Sequence, residues 1–83
     1  MVITSIIPCI KVIKENDFGG IDMYIEEGKN IKITDNDGRT YIGKFSYIEL
    51  GKDVDEDDII SIMRDDNSFL DIGVSYIKDI ENM

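Results

Sequence analysis

The residues best equipped for chemistry in this chain are carboxylates. Five acids crowd the stretch Gly51–Asp58 (GKDVDEDD); Asp53, Asp55 and Asp57 fall at alternate positions, and Asp58 follows directly. Oxygen ligands at such spacing begin a calcium loop, which makes Asp53, Asp55, Asp57 and Asp58 the candidate cation loop. A helix–loop–helix calcium site further needs a glycine at its sixth position and a bidentate glutamate at its twelfth. Counted from Asp53, those positions hold Asp58 and Arg64. A solvated, self-repelling loop accounts for the run without a metal, and no metal site is expected. Asp35 and Asp37 with Gly38 start in the same way, but a hairpin turn explains them better.

Other reactive groups are sparse. The chain has no histidine, so it lacks the commonest general base and transition-metal ligand. Cys9 is its single cysteine, which precludes an internal disulfide, and no histidine can activate it. Gly19-Gly20 lies in KENDFGG, outside any strand–GxGxxG–helix unit, and reads as a turn. With no base, nucleophile pair or cofactor motif, the chain is expected to be non-catalytic and to carry no cofactor.

A second constellation could bind rather than react. Lys32, Arg39, Tyr41 and Lys44 lie within one short stretch, where cations could meet phosphates and Tyr41, Phe45 or Tyr47 could stack on bases. The whole chain opposes this. Nine Lys and Arg stand against eighteen Asp and Glu, a net charge of −9. Nucleic-acid and anionic-membrane partners both call for local segregation of positive charge. Packing is the competing role for the aromatic rings, and the four residues stand as partner-binding candidates.

The elements that must position these groups are strands. The chain has 83 residues, 42% of them hydrophobic, with no alanine and leucine only at Leu50 and Leu70. Isoleucine dominates the apolar set, and β-branched side chains favour extended backbone. One domain is expected over residues 1–83: an N-terminal arm and connection at 1–20 and a barrel at 21–83. Residues 1–14 read as an extended arm, with Pro8 opposing a continuous helix and interrupting any edge strand. Its apolar load needs a cover, either the barrel or another subunit. Ile21–Glu27 fits a strand by its alternation of Ile21, Met23 and Ile25. Asp22 as a cap and Gly28 as a stop favour one or two helical turns instead.

Gly28–Leu50 is the organising hairpin. Ile31 and Ile33 alternate with polar residues, Asp35-Asn36-Asp37-Gly38 supplies the turn, and Thr40–Leu50 is a strand long enough to bend at Gly43. Further strands are expected at Ile59–Arg64, Ser68–Ile72 and Ile77–Glu81, the last preceded by a tight helical turn at Gly73–Tyr76. The fold class is therefore all-β, a small, strongly bent five-stranded barrel.

The run IDMYIEEGKNIKI, the DGRTYIGKF hairpin and the closing FLDIGVSYIKDI resemble the Sm-like family over residues 21–81. Src-homology-type barrels share the one-turn helix before the last strand. The resemblance implies a short N-terminal helix before five bent strands, and rings in which the fourth strand of one subunit pairs with the fifth of the next. The family's RNA pocket is not reproduced. The loop after the second strand holds acids but no asparagine, and Ile72-Gly73-Val74 has no basic residue beside its glycine. The expected role is a non-catalytic interaction or assembly module whose partner is another copy or another protein. RNA binding through a degenerate Sm-like site is the alternative, and cation binding at the acidic loop the third. The first lysine, Lys11, ends the longest uncharged run, too short to span a bilayer; no basic leader precedes it, and a soluble cytoplasmic protein is expected.

Overall fold

Alternation of apolar and polar residues with a period of two recurs along the chain, as at Asn30–Thr34, and strands are the outcome. The computed structural model describes residues 1–83. Seven strands follow in order: β1 (Cys9–Asn16), β2 (Gly19–Glu26), β3 (Asn30–Asp35), β4 (Thr40–Glu49), β5 (Ile59–Met63), β6 (Phe69–Gly73) and β7 (Ile77–Asn82). A single 3₁₀ turn, Val74–Tyr76, precedes β7, and there is no other helix.

The strands form two antiparallel sheets rather than a closed barrel. β1 and β2 make a two-stranded hairpin, while the other five order as β6-β5-β4-β3-β7. β6 and β7 are thus the open edges of the larger sheet. Both sheets feed one core of Ile25, Ile31, Ile33, Phe45, Ile60, Ile62 and Ile80, six isoleucines and a phenylalanine. Only nine of 83 residues are buried, so this cluster carries most of the apolar stabilisation a chain of this size can collect.

Three expectations for residues 1–28 are corrected. Ile21–Glu27 is not helical: Ile21, Met23 and Ile25 alternate along β2, and Ile25 is fully buried. Gly28 does not stop a helix. It turns the chain between β2 and β3 at φ +88°, a conformation that favours glycine. Residues 1–20 are more than arm and connection, because β1 begins directly after Pro8 and pairs with β2 from Cys9↔Glu26 to Asn16↔Gly19. Asp17 and Phe18 form the two-residue loop of that hairpin.

β4 is the spine. Its residues 40–44 pair with β3 and its residues 44–49 with β5, so Lys44 faces a partner on both sides. The register break lies between Phe45 and Tyr47, at Ser46, and not at Gly43. One extra residue there resets the alternation, so Phe45 is buried and Ile48 packs against the core although they are three positions apart. Gly43 has a different task. A Cβ at that position would lie 2.7 Å from the Met63 carbonyl oxygen and 3.2 Å from Ile62 Cδ1, so glycine permits β5 to approach.

Candidate functional site

The acidic loop is a folded structure rather than a loose charge run. The Gly51 amide donates to Asp58 Oδ1 at 2.8 Å, the Lys52 amide to Glu56 Oε2 at 3.0 Å, and the Asp55 amide to Asp53 Oδ1 at 2.9 Å. Asp57 reaches across to the 3₁₀ turn: its Oδ2 accepts the Ser75 hydroxyl at 2.7 Å and the Ser75 amide at 3.0 Å. The Val74 amide donates to the Asp58 carbonyl at 2.8 Å. The Ser75 hydroxyl and amide hold the Asp57 carboxyl below the usual carboxylate range, against a smaller upward push from desolvation. The carboxylates of Asp53, Glu56, Asp57 and Asp58 thus each accept from a separate backbone or hydroxyl donor, Asp55 joins through its amide alone, and no three acids converge as metal ligands do.

The turn of the β3–β4 hairpin docks on the same 3₁₀ turn. The Asn36 amide donates to the Tyr76 carbonyl at 2.9 Å, and Asn36 Nδ2 to the Ser75 carbonyl at 3.1 Å. Asp35 organises the turn from below. Its Oδ1 accepts the amides of Asp37 and Arg39, both at 2.9 Å, and its Oδ2 accepts the Tyr41 hydroxyl at 3.0 Å. Desolvation raises the Asp35 pKa, but these three donors and the Arg39 charge together carry it below the ordinary value. Two loops thus meet on Val74–Tyr76.

The basic and aromatic candidates are not assembled into one patch. Tyr41 stands opposite Ile33 on the core side of β4 and is half-buried, with its hydroxyl engaged by Asp35. Lys32 and Lys44 lie on the outer side, and Lys32 stands opposite Glu81 of β7. Arg39 is at the turn, removed from both lysines. Phe45 is buried in the core and Tyr47 is exposed.

What the structure does bring into view is unpaired backbone beside uncovered apolar surface. Residues 1–8 lie outside both sheets; Val2 is 83% exposed, Ile3 76% and Ile6 83%. This apolar load, legible in the sequence, has found no cover on its own chain. Between β1 and β7 lies a groove of about 350 Å³ whose walls include Val12, Ile13, Val74, Ile77 and Ile80. Lys14 Nζ bridges it to Asp79 at 2.7 Å. The hydrogen bond from Lys14 holds the Asp79 carboxyl below its usual range, opposed in part by desolvation. The pairing of Ile10, Val12 and Lys14 with Ile25, Met23 and Ile21 points one face of the hairpin at the core, and the Lys14–Asp79 contact and the shared groove lining bring β1 beside β7. No signal in the sequence announced this groove, because its two walls are some sixty residues apart along the chain.

No helix is long and apolar enough to cross a membrane. Comparison with protein-family models, with curated proteins and with solved structures finds no match.

Proposed function

We propose that this protein is a non-catalytic assembly module whose principal partner is another copy of itself. The observation that carries the reading is the segment Met1–Pro8, which lies outside both sheets, is uncharged in its side chains and is exposed at Val2, Ile3, Ile6 and Ile7. Burying one such isoleucine gains roughly 1.5–3 kcal/mol. A chain that leaves four apolar side chains in one segment outside so small a core has a strong drive to cover them intermolecularly. The two open edges of the larger sheet add backbone donors and acceptors without partners, the usual template for strand addition.

The Sm-like resemblance agrees with this reading in one respect. The edges are β6 and β7, the fourth and fifth strands of the five, which are the strands through which Sm-like subunits pair. It departs in another, since a hairpin stands where that family has a short helix. RNA binding gains nothing from the geometry, because Tyr41 lies on the core side of the sheet and Lys32 and Lys44 lie on its outer side. Cation binding gains nothing either, because the acids of the loop do not converge on one point.

Sedimentation velocity and light scattering over a wide concentration range test the proposal. Concentration-dependent growth in mass is the expected result. A monomer at the highest concentration reached in both measurements would overturn it.

A further inference from the structure

The self-assembly reading leaves open which surface receives the arm, and the groove between β1 and β7 is the one that fits. We infer that Met1–Pro8 of one copy enters the β1–β7 groove of a second copy and adds there as a strand. The inference rests on the proposal that the chain assembles with itself.

Three observations lead to this surface. First, β1 pairs only with β2, and β7 pairs only with β3, so each of the two strands beside the groove has an edge with no ladder partner. An extended segment lying between them finds main-chain partners, as in β-augmentation. Second, the lining is apolar where the arm is apolar, through Val12, Ile13, Val74 and Ile77. The only charges there are Lys14, Glu15, Lys78 and Asp79, two of each sign. The groove is therefore locally neutral on a chain of net charge −9, and Lys14 and Asp79 already satisfy one another. An uncharged segment can lie over that ion pair without stranding either charge. Third, the lengths agree. An extended run of eight residues spans about 26 Å, enough to follow the six residues of β7 along their full length.

The β6 edge is the poorer receiver. It is bordered by Asp65, Asp66 and Asp71 against Arg64 alone, and among its exposed large apolar side chains it offers Phe69. A β6 strand from another copy is also a poor occupant of the β1–β7 groove, because it is held in its own sheet by β5. A free arm carries no such neighbour.

The test uses the full chain and two variants. Ile3→Asp with Ile6→Asp disables the arm, and Ile13→Asp with Val74→Asp disables the groove. All four side chains are exposed, and circular dichroism checks that each variant keeps the fold. Each variant alone is expected to associate on the order of tenfold or more weakly than the parent. Mixing them restores association, because one supplies an intact arm and the other an intact groove. Hydrogen exchange on the unaltered chain reads the same event without substitution. Amides of Val2–Ile7 gain protection at concentrations where the oligomer is populated and lose it on dilution. If the parent assembles but the arm variant assembles equally well, or the arm amides exchange freely in the oligomer, this inference fails and self-assembly stands. Protection of the arm amides that persists in the monomer places the arm on its own chain and also overturns it. A parent that never leaves the monomer ends both.

Discussion

Asp57 grips Ser75 twice, taking its hydroxyl at 2.7 Å and its amide at 3.0 Å through one carboxylate oxygen. The pair ties the acidic loop between β4 and β5 to the 3₁₀ turn before β7, eighteen residues further along. Asp57→Ala is expected to release that tie. The Val74 amide, which donates to the neighbouring Asp58 carbonyl, then exchanges faster while the core amides of Ile60 and Ile62 keep their protection. Unchanged exchange at Val74 would show that the loop is held in place by other contacts.

Acid should weaken the fold through a defined set of groups. Asp35, Asp57, Asp66 and Asp79 all have pKa values lowered from 3.8 in the folded chain. A lowered carboxylate pKa means that the unfolded chain binds more protons, so the stabilisation is complete above about pH 5 and is lost as the pH falls through the folded-state value. Comparing the parent with Asp57→Asn removes the general effect of charge on the acidic chain. The parent is the more stable at pH 7, and the gap in urea midpoint closes as the pH drops below 3.8. A gap that stays constant to pH 3 would contradict the assignment.

Truncation should separate the two sides of the sheet. Ile33 is fully buried, and Ile33→Ala is expected to cost about 2–5 kcal/mol by chemical denaturation. Ile42 lies on the outer side of β4 and is exposed, and Ile42→Ala should fall within about 0.5 kcal/mol of the parent. Equal losses at the two positions would mean that the assignment of inner and outer sides is wrong.

Gly43→Ala should be costly for a strand position, where alanine ordinarily outperforms glycine. The added Cβ meets the Met63 backbone oxygen at 2.7 Å, and backbone cannot step aside as a side-chain tip can. Overpacking of this kind costs about 1–3 kcal/mol. A stabilised variant would show that β5 has room to retreat.

Salt should strengthen self-association. Two copies of charge −9 repel one another, and added salt screens that repulsion while leaving apolar burial intact. Binding to nucleic acid would respond in the opposite direction, since phosphate contacts weaken as salt rises. Mass measured by sedimentation is expected to increase between low and high sodium chloride at fixed protein concentration. A decrease would mean that attraction between charges, and not apolar surface, holds the oligomer.

Much of the larger sheet was legible because its strands announce themselves locally. Ile31 and Ile33 alternate with polar neighbours, Asp37-Gly38 demands a turn, and Gly73–Tyr76 interrupts two short apolar runs. The N-terminal hairpin was legible in part: Ile21, Met23 and Ile25 carry the right period, but Gly28 serves equally as a helix stop or a turn residue, and only the tertiary setting decides. The bulge at Ser46 was legible only as an alternative: after Phe45 and Tyr47, Ile48 and Leu50 either take the other parity or follow a local bulge, and how β5 lies against them decides. For the candidate site the arm was visible as unspent isoleucine. The groove that complements it was not, being formed by β1 and β7 from opposite ends of the chain. Tyr41 shows the same limit, since its side of the sheet follows from its partner Ile33 rather than from its own neighbours.

The pairing of β3 with β7 has a kinetic consequence. Every other ladder joins strands adjacent in sequence, whereas this one brings Ile31 to Asn82 and Ile33 to Ile80. Neighbouring hairpins can zip early, but this ladder must wait for a long loop to close, and such closures dominate the folding time of β proteins. Until β7 arrives, β3 presents a bare edge lined with isoleucine, and this interval is when the chain is most open to misdirected pairing. The speed of folding and the exposure to aggregation are thus set at one seam, the last strand meeting the third.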